Sequence, residues 1–186
     1  MHRSVHLHPE STAITYAIGD IGPGGGTIFY YSESAFSEVG SACENNCHYL
    51  EWAPSTWSGS SDPAISSWAT DTENAVGTSG SGFENTAAML TSAGSYQGDT
   101  SGAAHAVHLF AGTDSSAGSW FLPSVAELAW MSSSSVRSAG NFRGGNYWSS
   151  TENLGGVWLA DILGAASYGN IPKSWPETYV RPIRAF

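Results

Sequence analysis

The pattern of apolar and polar positions predicts short β-strands in several places along the chain. Runs of aromatic and β-branched residues with no helical spacing are typical of strands. These runs are 27–31, 120–123, 147–148, 157–162 and 179–183. Pro182 places the last of these strands at an edge, at an end or at a bulge, because proline has no N–H to give to the ladder.

The predicted strand 157–162 is expected to have one face in the core and one face turned outward. Alternate residues of a strand point to opposite faces. One set comprises Trp158, Ala160 and Ile162, and the other comprises Val157, Leu159 and Asp161. If the first set is buried, the aspartate turns its own set outward. We therefore expect Val157 and Leu159 to be partly exposed.

Three short helices are predicted between the strands. Apolar spacing indicates helices at 83–90 and 103–111, and a third helix follows Ser124. Ser124 is expected to cap that helix, because Glu127 stands three residues further on and completes a capping box. The Ser-, Thr- and Gly-rich stretch 57–82 predicts a long surface loop that Trp57 and Trp68 anchor.

The predicted elements together indicate one α+β domain with short strands in small sheets, two or three short helices and long loops, and the composition agrees with it. A chain of 186 residues can bury a real core, and its 22 glycines favour turns and short strands. Eight Trp and eight Tyr supply the apolar area that disordered chains lack. We predict a single domain over 14–186 after a flexible segment over 1–13.

Charge limits the classes of partner. The formal net charge is −10 with six Lys plus Arg, so neither nucleic acid nor an anionic membrane is an expected partner. No apolar run is long enough to span a bilayer, and residues 1–10 lack the apolar core of a signal peptide. His2, His6 and His8 offer metal ligands, but a polar chain terminus is the favoured interpretation.

The glycine-rich segment 22–26 is interpreted as a tight turn. A phosphate-binding loop needs a helix after the glycines, with backbone N–H groups at its N-terminus. Here a β-rich run follows, and no Gly-Lys-Ser/Thr sequence is present.

Cys43 and Cys47 leave three interpretations open. Together with His48 they do not complete a tetrahedral zinc site. A local disulfide is the first choice for a protein that works outside the cell. Two free thiols are the second, and a redox pair is the third, because the spacing is one residue longer than Cys-x-x-Cys.

Residues 146–186 combine an ordered frame with an irregular insert. The frame segments 147–152 and 179–186 carry aromatic residues, small hydroxyls and two arginines that need fixed partners. Much of 153–171 follows no clear helical or strand period. Because binding residues tend to lie on loops that a scaffold holds, this region predicts a binding surface.

Several motifs stand in an order that resembles a known family. They are 16–26, 47–54, 77–86, 120–124 with Glu127 and Leu128, 147–152 and 180–186. In combination they are similar to the bacterial domains of unknown function found at the end of the Legionella collagen-like adhesin. The resemblance covers nearly everything after Ala13.

The resemblance implies a C-type-lectin-like fold close to the formylglycine-generating-enzyme branch. Residues 142–148 also resemble the Arg-Gly-Gly segment of that branch. The fold commonly serves ligand binding. The same scaffold is used by the variable proteins of diversity-generating retroelements, in which a C-terminal stretch is mutagenised at adenines. Residues 146–186 are then the candidate variable region.

Two sets of residues follow from this interpretation. The set expected to face a ligand is Asn146, Asn153, Leu154, Gly155, Val157, Leu159, Asp161, Ser167, Tyr168, Asn170, Ile171, Ser174 and Trp175. The set expected to hold the frame is Trp120, Trp148, Trp158, Arg181 and Arg184. The ligand is expected to be a protein or a surface glycan, and Tyr168 and Trp175 supply the stiff aromatic area typical of interfaces. The alternative for each position is an ordinary surface residue.

Three rival functions remain. An enzyme of the formylglycine-generating type needs a cysteine pair in the C-terminal half, whereas both cysteines lie early, and no triad or paired carboxylates stand out, so we expect no catalysis. A sugar-binding lectin needs Glu-Pro-Asn or Gln-Pro-Asp, and neither occurs. No cofactor is expected, although Asp62, Asp71 and Asp114 leave a structural calcium site open. A fixed-specificity adhesin-like or virion module is the third rival, and an extracellular, cell-surface or virion location suits every binding interpretation.

Overall fold

The computed structural model describes residues 15–68, 81–91, 102–113, 118–153 and 155–186. Some predictions fall outside these ranges. They concern the flexible segment 1–13 with its histidines, the loop stretch 69–80 with Asp71, the acid Asp114, and the ligand-facing residue Leu154.

Within these ranges the chain is an α+β protein with two small antiparallel sheets and few helices. The strands are β1 Thr27–Glu38, β2 Glu44–Trp52, β3 Asn146–Asn153, β4 Gly156–Asp161, β5 Ala166–Ile171 and β6 Ile183–Ala185. The helices are α1 Gly82–Thr91, α2 Ala103–His108 and α3 Val125–Ser133, with a 3₁₀ turn at Arg137–Gly140.

Both sheets have three strands. The first has the order β1-β2-β6, and the second has the order β3-β4-β5, with antiparallel neighbours throughout. In the first sheet Trp52 pairs with Ile183, so the last strand lies against β2, the central strand of that sheet. Pro182 immediately precedes β6, which is an outer strand, in agreement with the prediction from its missing N–H.

The segment that forms β5 shows no strand period, so the sequence did not predict it. The pairing of β4 with β5 skips a residue, because Val157 faces Ile171 while Leu159 faces Tyr168. Asn170, within the skipped stretch, has a φ of 57°. A bulge with an asparagine in the left-handed region shifts the alternation of faces and hides the strand pattern.

Both faces of the second sheet are covered, and this corrects the prediction for β4. Val157 and Leu159 are buried in one apolar cluster with Trp148, whereas Ala160 is buried in the other. Our expectation that Val157 and Leu159 are partly exposed is wrong. Trp158, which was expected to be a buried part of the frame, is half-buried and packs over Gly169 of β5.

The capping box at the start of α3 is present. The N–H of Glu127 donates to Ser124 Oγ at 3.3 Å, and the N–H of Ser124 donates to Glu127 Oε2 at 2.6 Å. The two residues satisfy each other's backbone donors, as the local sequence predicts.

An ion pair ties the C-terminal frame to the long loop. Arg181 Nε donates to Asp62 Oδ1 and its Nη2 donates to Asp62 Oδ2, both at 2.6 Å. Arg181 Nη1 also donates to the carbonyl groups of Ala53 and Gly140. Both side chains are fully buried. Asp62, one of the acids left open for calcium, is therefore engaged by an arginine.

The glycine-rich turn binds a carboxylate of the chain itself. The N–H groups of Gly24 and Gly26 donate to the two oxygens of Glu51 at 2.9 and 2.8 Å. Arg184 Nη1 lies 3.4 Å from the same carboxylate. The buried Trp120 indole packs so closely on this turn that a Cβ at Gly24 or Gly26 would collide with it. The glycines are needed for this close approach.

Candidate ligand-binding surface

A concavity of about 370 Å³ opens where β3, β4, β5 and the segment after β5 meet. Its lining residues are Gly145, Asn146, Leu159, Asp161, Tyr168, Ile171 and Trp175. We call it the β5 cavity. All of these residues except Gly145 were expected from the sequence to contact a ligand. The fold brings them together from β3, β4, β5 and the segment after β5.

The β5 cavity has an apolar bottom and aromatic walls. Leu159 is 1 % exposed, and Ile171 is half-buried. Tyr168, the cross-strand partner of Leu159, is 47 % exposed, and Trp175 is 41 % exposed. Large aromatic side chains that remain open to solvent beside an apolar depression are typical of binding sites.

Asp161 supplies a carboxylate at the end of β4, where the chain turns into β5. Its Oδ1 accepts hydrogen bonds from the N–H groups of Leu163 and Gly164 at 3.0 and 2.9 Å. These bonds hold the carboxylate in one orientation, as in an Asx turn. The turn ends at Ala165, whose φ is 54°, and a Cβ at position 164 would collide with Asp161 Oδ2. The half-buried carboxylate is thus positioned by the turn.

The backbone that carries Trp175 is fixed by main-chain contacts with Ser66 and Ser67 of the long loop. The N–H of Trp175 donates to the Ser66 carbonyl at 3.0 Å, and Ser174 forms a bridge with Ser67. Lys173, which immediately precedes Ser174, is buried, and its Nζ lies 2.5 Å from Glu152 Oε1. The indole of Trp175 is therefore an exposed group on an anchored backbone.

The long loop is clamped beneath the second sheet by two indoles. Trp68 Nε1 donates to the Ser149 carbonyl at 2.7 Å, and Trp148 Nε1 donates to the Ile65 carbonyl at 2.6 Å. The two bonds cross-link the loop and β3 in opposite directions. The aromatic anchor predicted at Trp68 is thus part of the support of the β5 cavity.

The other described residues of the predicted ligand-facing set do not line the β5 cavity. Gly155, Ser167, Asn170 and Ser174 are exposed outside it, and Asn153 is half-buried. Val157 is fully buried in the core and presents nothing to a partner. Leu159 is accessible only as the bottom of the β5 cavity, not as a rim residue.

A second concavity of about 480 Å³ was missed by the sequence analysis. It is lined by Trp57, Ser58, Pro63, Ile65, Ala106, Leu109, Phe110 and Ala111. Leu109 is 62 % exposed at its edge. The only sequence signal was Trp57, which was interpreted as an anchor of the loop.

Two buried carboxyl groups, Glu38 and Glu127, meet at the start of α1, although the sequence showed no paired carboxylates. Each side chain accepts a backbone N–H, Glu38 from Phe83 at 3.2 Å and Glu127 from Ser124. Burial raises the pKa of Glu127 well above its usual value, and the neighbouring Glu38 carboxylate raises that pKa further. We assign the pair a role in helix capping, because each partner is bonded to a helix N-terminus.

The phenol of Tyr147 completes the ion pair of the frame. Tyr147 donates to Asp62 Oδ2 at 2.7 Å and accepts from the N–H of Arg143 at 2.8 Å. Burial raises the pKa of Tyr147, and the negative charge of Asp62 raises that pKa further. The phenol therefore stays protonated and acts as a donor throughout the physiological range.

The described ranges contain neither a cluster of metal-ligating side chains nor a membrane-spanning helix. No three or more His, Cys, Asp or Glu side chains there gather in a way that would hold a metal ion. No helix there is long and apolar enough to cross a membrane. Cys43 and Cys47 form a disulfide that closes a short loop at the start of β2.

Comparison with protein-family models, with curated proteins and with solved structures gives no match for this chain. The class that the structure defines is that of an α+β protein with two small antiparallel sheets. Its function has to be argued from the residues of its own surface.

Proposed function

We propose that this protein is a non-catalytic binding protein with a C-type-lectin-like scaffold, and that it presents the β5 cavity and its rim to a protein or a surface glycan. The observation that carries the proposal is the convergence of Asn146, Asp161, Tyr168 and Trp175 around one concavity. Its volume of about 370 Å³ lies in the range of small-ligand sites, which is roughly 300–1,000 Å³.

The residues that hold the frame and the residues that line the site are different ones. This separation supports a surface that tolerates amino-acid substitution. The side chains of Arg181 and Trp148, which hold the frame, are buried, while Tyr168 and Trp175 keep 47 % and 41 % of their surface exposed. The backbone of the site is fixed by main-chain bonds that do not depend on side-chain identity, such as the pairing of β4 with β5. Substitution at the rim therefore leaves the core packing intact.

This division leads us to propose that the protein is a variable protein of a diversity-generating retroelement. The cavity residues fall within 146–186, the candidate variable region. The disulfide between Cys43 and Cys47 supports a location outside reducing compartments, at a cell surface or on a virion.

Sequencing the DNA around the gene tests this proposal. We expect a second, near-identical copy of the codons for residues 146–186 that differs where that copy has adenine. The differences should fall on exposed positions such as Asp161, Tyr168 and Trp175, and should spare Trp148 and Arg181. Without such a copy, diversification is wrong and a fixed-specificity adhesin-like module takes its place.

Binding itself is tested with cells or purified surface molecules and a matched pair of variants. The double variant Tyr168→Ala/Trp175→Ala removes the aromatic walls, and Tyr31→Ala removes an equally exposed aromatic from the first sheet. Binding should be lost in the double variant and kept in Tyr31→Ala. Equal binding by both variants would contradict a role for the β5 cavity.

A further inference from the structure

We infer that the β5 cavity receives a basic side chain, lysine or arginine, from a protein partner. This inference rests on the proposed binding function and names the chemistry of what is bound. Three features carry it: a carboxylate with an open oxygen, aromatic walls, and a lining to which the described part of the chain contributes no lysine or arginine.

The carboxylate of Asp161 has one oxygen that the described chain leaves open. Its Oδ1 is taken by the N–H groups of Leu163 and Gly164. Its Oδ2 accepts no hydrogen bond from any residue that the structure describes, and it belongs to a half-buried side chain that lines the cavity. A fixed carboxylate oxygen inside a concavity is a strong acceptor for an ammonium or guanidinium donor.

The walls and the bottom match the rest of a basic side chain. The faces of Tyr168 and Trp175 attract a cation electrostatically, and tryptophan does so most strongly. Leu159 and Ile171 offer apolar surface, against which the methylene groups of lysine or arginine pack while the charged head reaches Asp161.

Within the described ranges, no lysine or arginine of the chain lines the cavity around Asp161. The Lys and Arg residues within the described ranges are Arg137, Arg143, Lys173, Arg181 and Arg184. None of them lines the cavity, and each has another contact, such as Glu152 for Lys173 and the ring of Tyr179 for Arg143. With a net charge of −10, the protein attracts basic partners from a distance.

A glycan fits these features less well. Sugar sites also use aromatic faces, but they need several directed polar groups to fix the hydroxyls. Among the described residues, Asp161 and Asn146 are the only acid or amide side chains in the lining, and the bottom is aliphatic. Binding of a glycan is an outcome that the experiment below can detect.

The test is a titration of the ¹⁵N-labelled protein with small probes, followed by NMR. The probes are Nα-acetyl-lysine amide, Nα-acetyl-arginine amide, the uncharged Nα-acetyl-norleucine amide, and methyl glucoside and galactoside. The signals observed are the backbone amides of Leu163 and Gly164 and the indole N–H of Trp175. We expect the two basic probes to shift these signals, with the norleucine probe binding about tenfold more weakly, in line with the strength of a charged hydrogen bond.

Two matched variants isolate the charge. Asp161→Asn keeps an oxygen for the two N–H donors of the turn but removes the carboxylate, and should weaken the basic probes about tenfold. Asp20→Asn makes the same change at an exposed turn in which Asp20 accepts from the N–H of Ala17, and should leave binding unchanged. If Asp161→Asn does not fold, the comparison of the lysine and norleucine probes on the parent protein still tests whether the charge contributes to binding.

The outcomes separate this inference from the proposed function. Equal binding of norleucine and lysine, unchanged binding in Asp161→Asn, shifts with glycosides alone, or no shifts with any probe would each overturn it. A partner whose binding needs Tyr168 and Trp175 but not Asp161 would leave the proposed function standing and this inference wrong. If the basic probes bind but the partner binds the cavity variants as tightly as the parent protein, the proposed function is overturned instead.

Discussion

Arg181 and Asp62 form a two-point ion pair, at 2.6 Å for each contact, between residues 119 positions apart in sequence. The pair joins the C-terminal frame to the long loop that supports the β5 cavity. Removing one partner leaves the other charge buried without its counter-ion, which is far more destabilising than losing an exposed pair.

We therefore expect Asp62→Ala to lower the free energy of unfolding by about 3–5 kcal/mol. The measurement is urea denaturation followed by tryptophan fluorescence. Asp20→Ala, at an exposed acid, should change the same quantity by less than about 1 kcal/mol. The double variant Asp62→Ala/Arg181→Met should recover part of the loss, and equal loss in the single and double variants would contradict the pairing.

The buried pair of Glu38 and Glu127 predicts an unusual pH dependence. The pKa of Glu127 is raised above its unfolded value of about 4.5, so the native state holds a proton that the unfolded state releases. The contribution of this proton to the free energy of unfolding is then fully present below pH 4.5 and is lost as the pH rises through the raised pKa of Glu127.

Glu127→Gln should remove this loss. The glutamine oxygen still accepts the N–H of Ser124, and its amide donates toward Glu38 without a titrating proton. The free energy of unfolding, measured by urea titration from pH 4.5 to 8, should fall less steeply in this variant than in the parent. Glu84→Gln, an exposed change in the first turn of α1, should keep the parent slope. An unchanged slope in Glu127→Gln would contradict a raised pKa of Glu127 in the folded state.

The β5 cavity predicts a contrast between its bottom and its walls. Leu159→Ala should cost about 2–5 kcal/mol of stability, because a buried leucine loses its packing. Tyr168→Ala should cost about 0.5 kcal/mol or less, because its side chain is half open to solvent. Thermal unfolding measures both, and similar losses in the two variants would mean that the tyrosine is part of the core.

The disulfide predicts a local effect. The bond joins residues four positions apart, and a loop of that length contributes about 2 kcal/mol by the chain-entropy argument. Cys43→Ser/Cys47→Ser, or a reductant, should lower the thermal midpoint of the parent. Ligand binding at the β5 cavity should stay unchanged, since the bond lies in the first sheet, and a loss of binding without unfolding would count against this separation.

Whether the sequence predicted an interaction depends on how far apart its two residues lie along the chain. The capping box of Ser124 and Glu127 lies within four residues, so local sequence predicts it. The partner of Arg181 lies far away, and the sequence indicated only that the arginine needs one. Neighbouring elements decide such contacts, and no single stretch contains that information.

The candidate site shows the same limit. Tyr168 and Trp175 were correctly placed on the surface from their type and surroundings. The prediction that Val157 and Leu159 are partly exposed was wrong. The alternation rule assumes that one face of the sheet is open to solvent, and here apolar clusters cover both faces of the second sheet. The irregular pattern of β5 has a specific cause in the bulge at Asn170.

The position of β6 has a consequence for how the protein is made. Residues 183–185 form the outer strand beside β2, so the first sheet stays incomplete until those residues have been synthesised. Everything between β3 and β6, including the β5 cavity, is by then already translated. The edge of the first sheet beside β2 is therefore filled only after every residue of the β5 cavity has been translated.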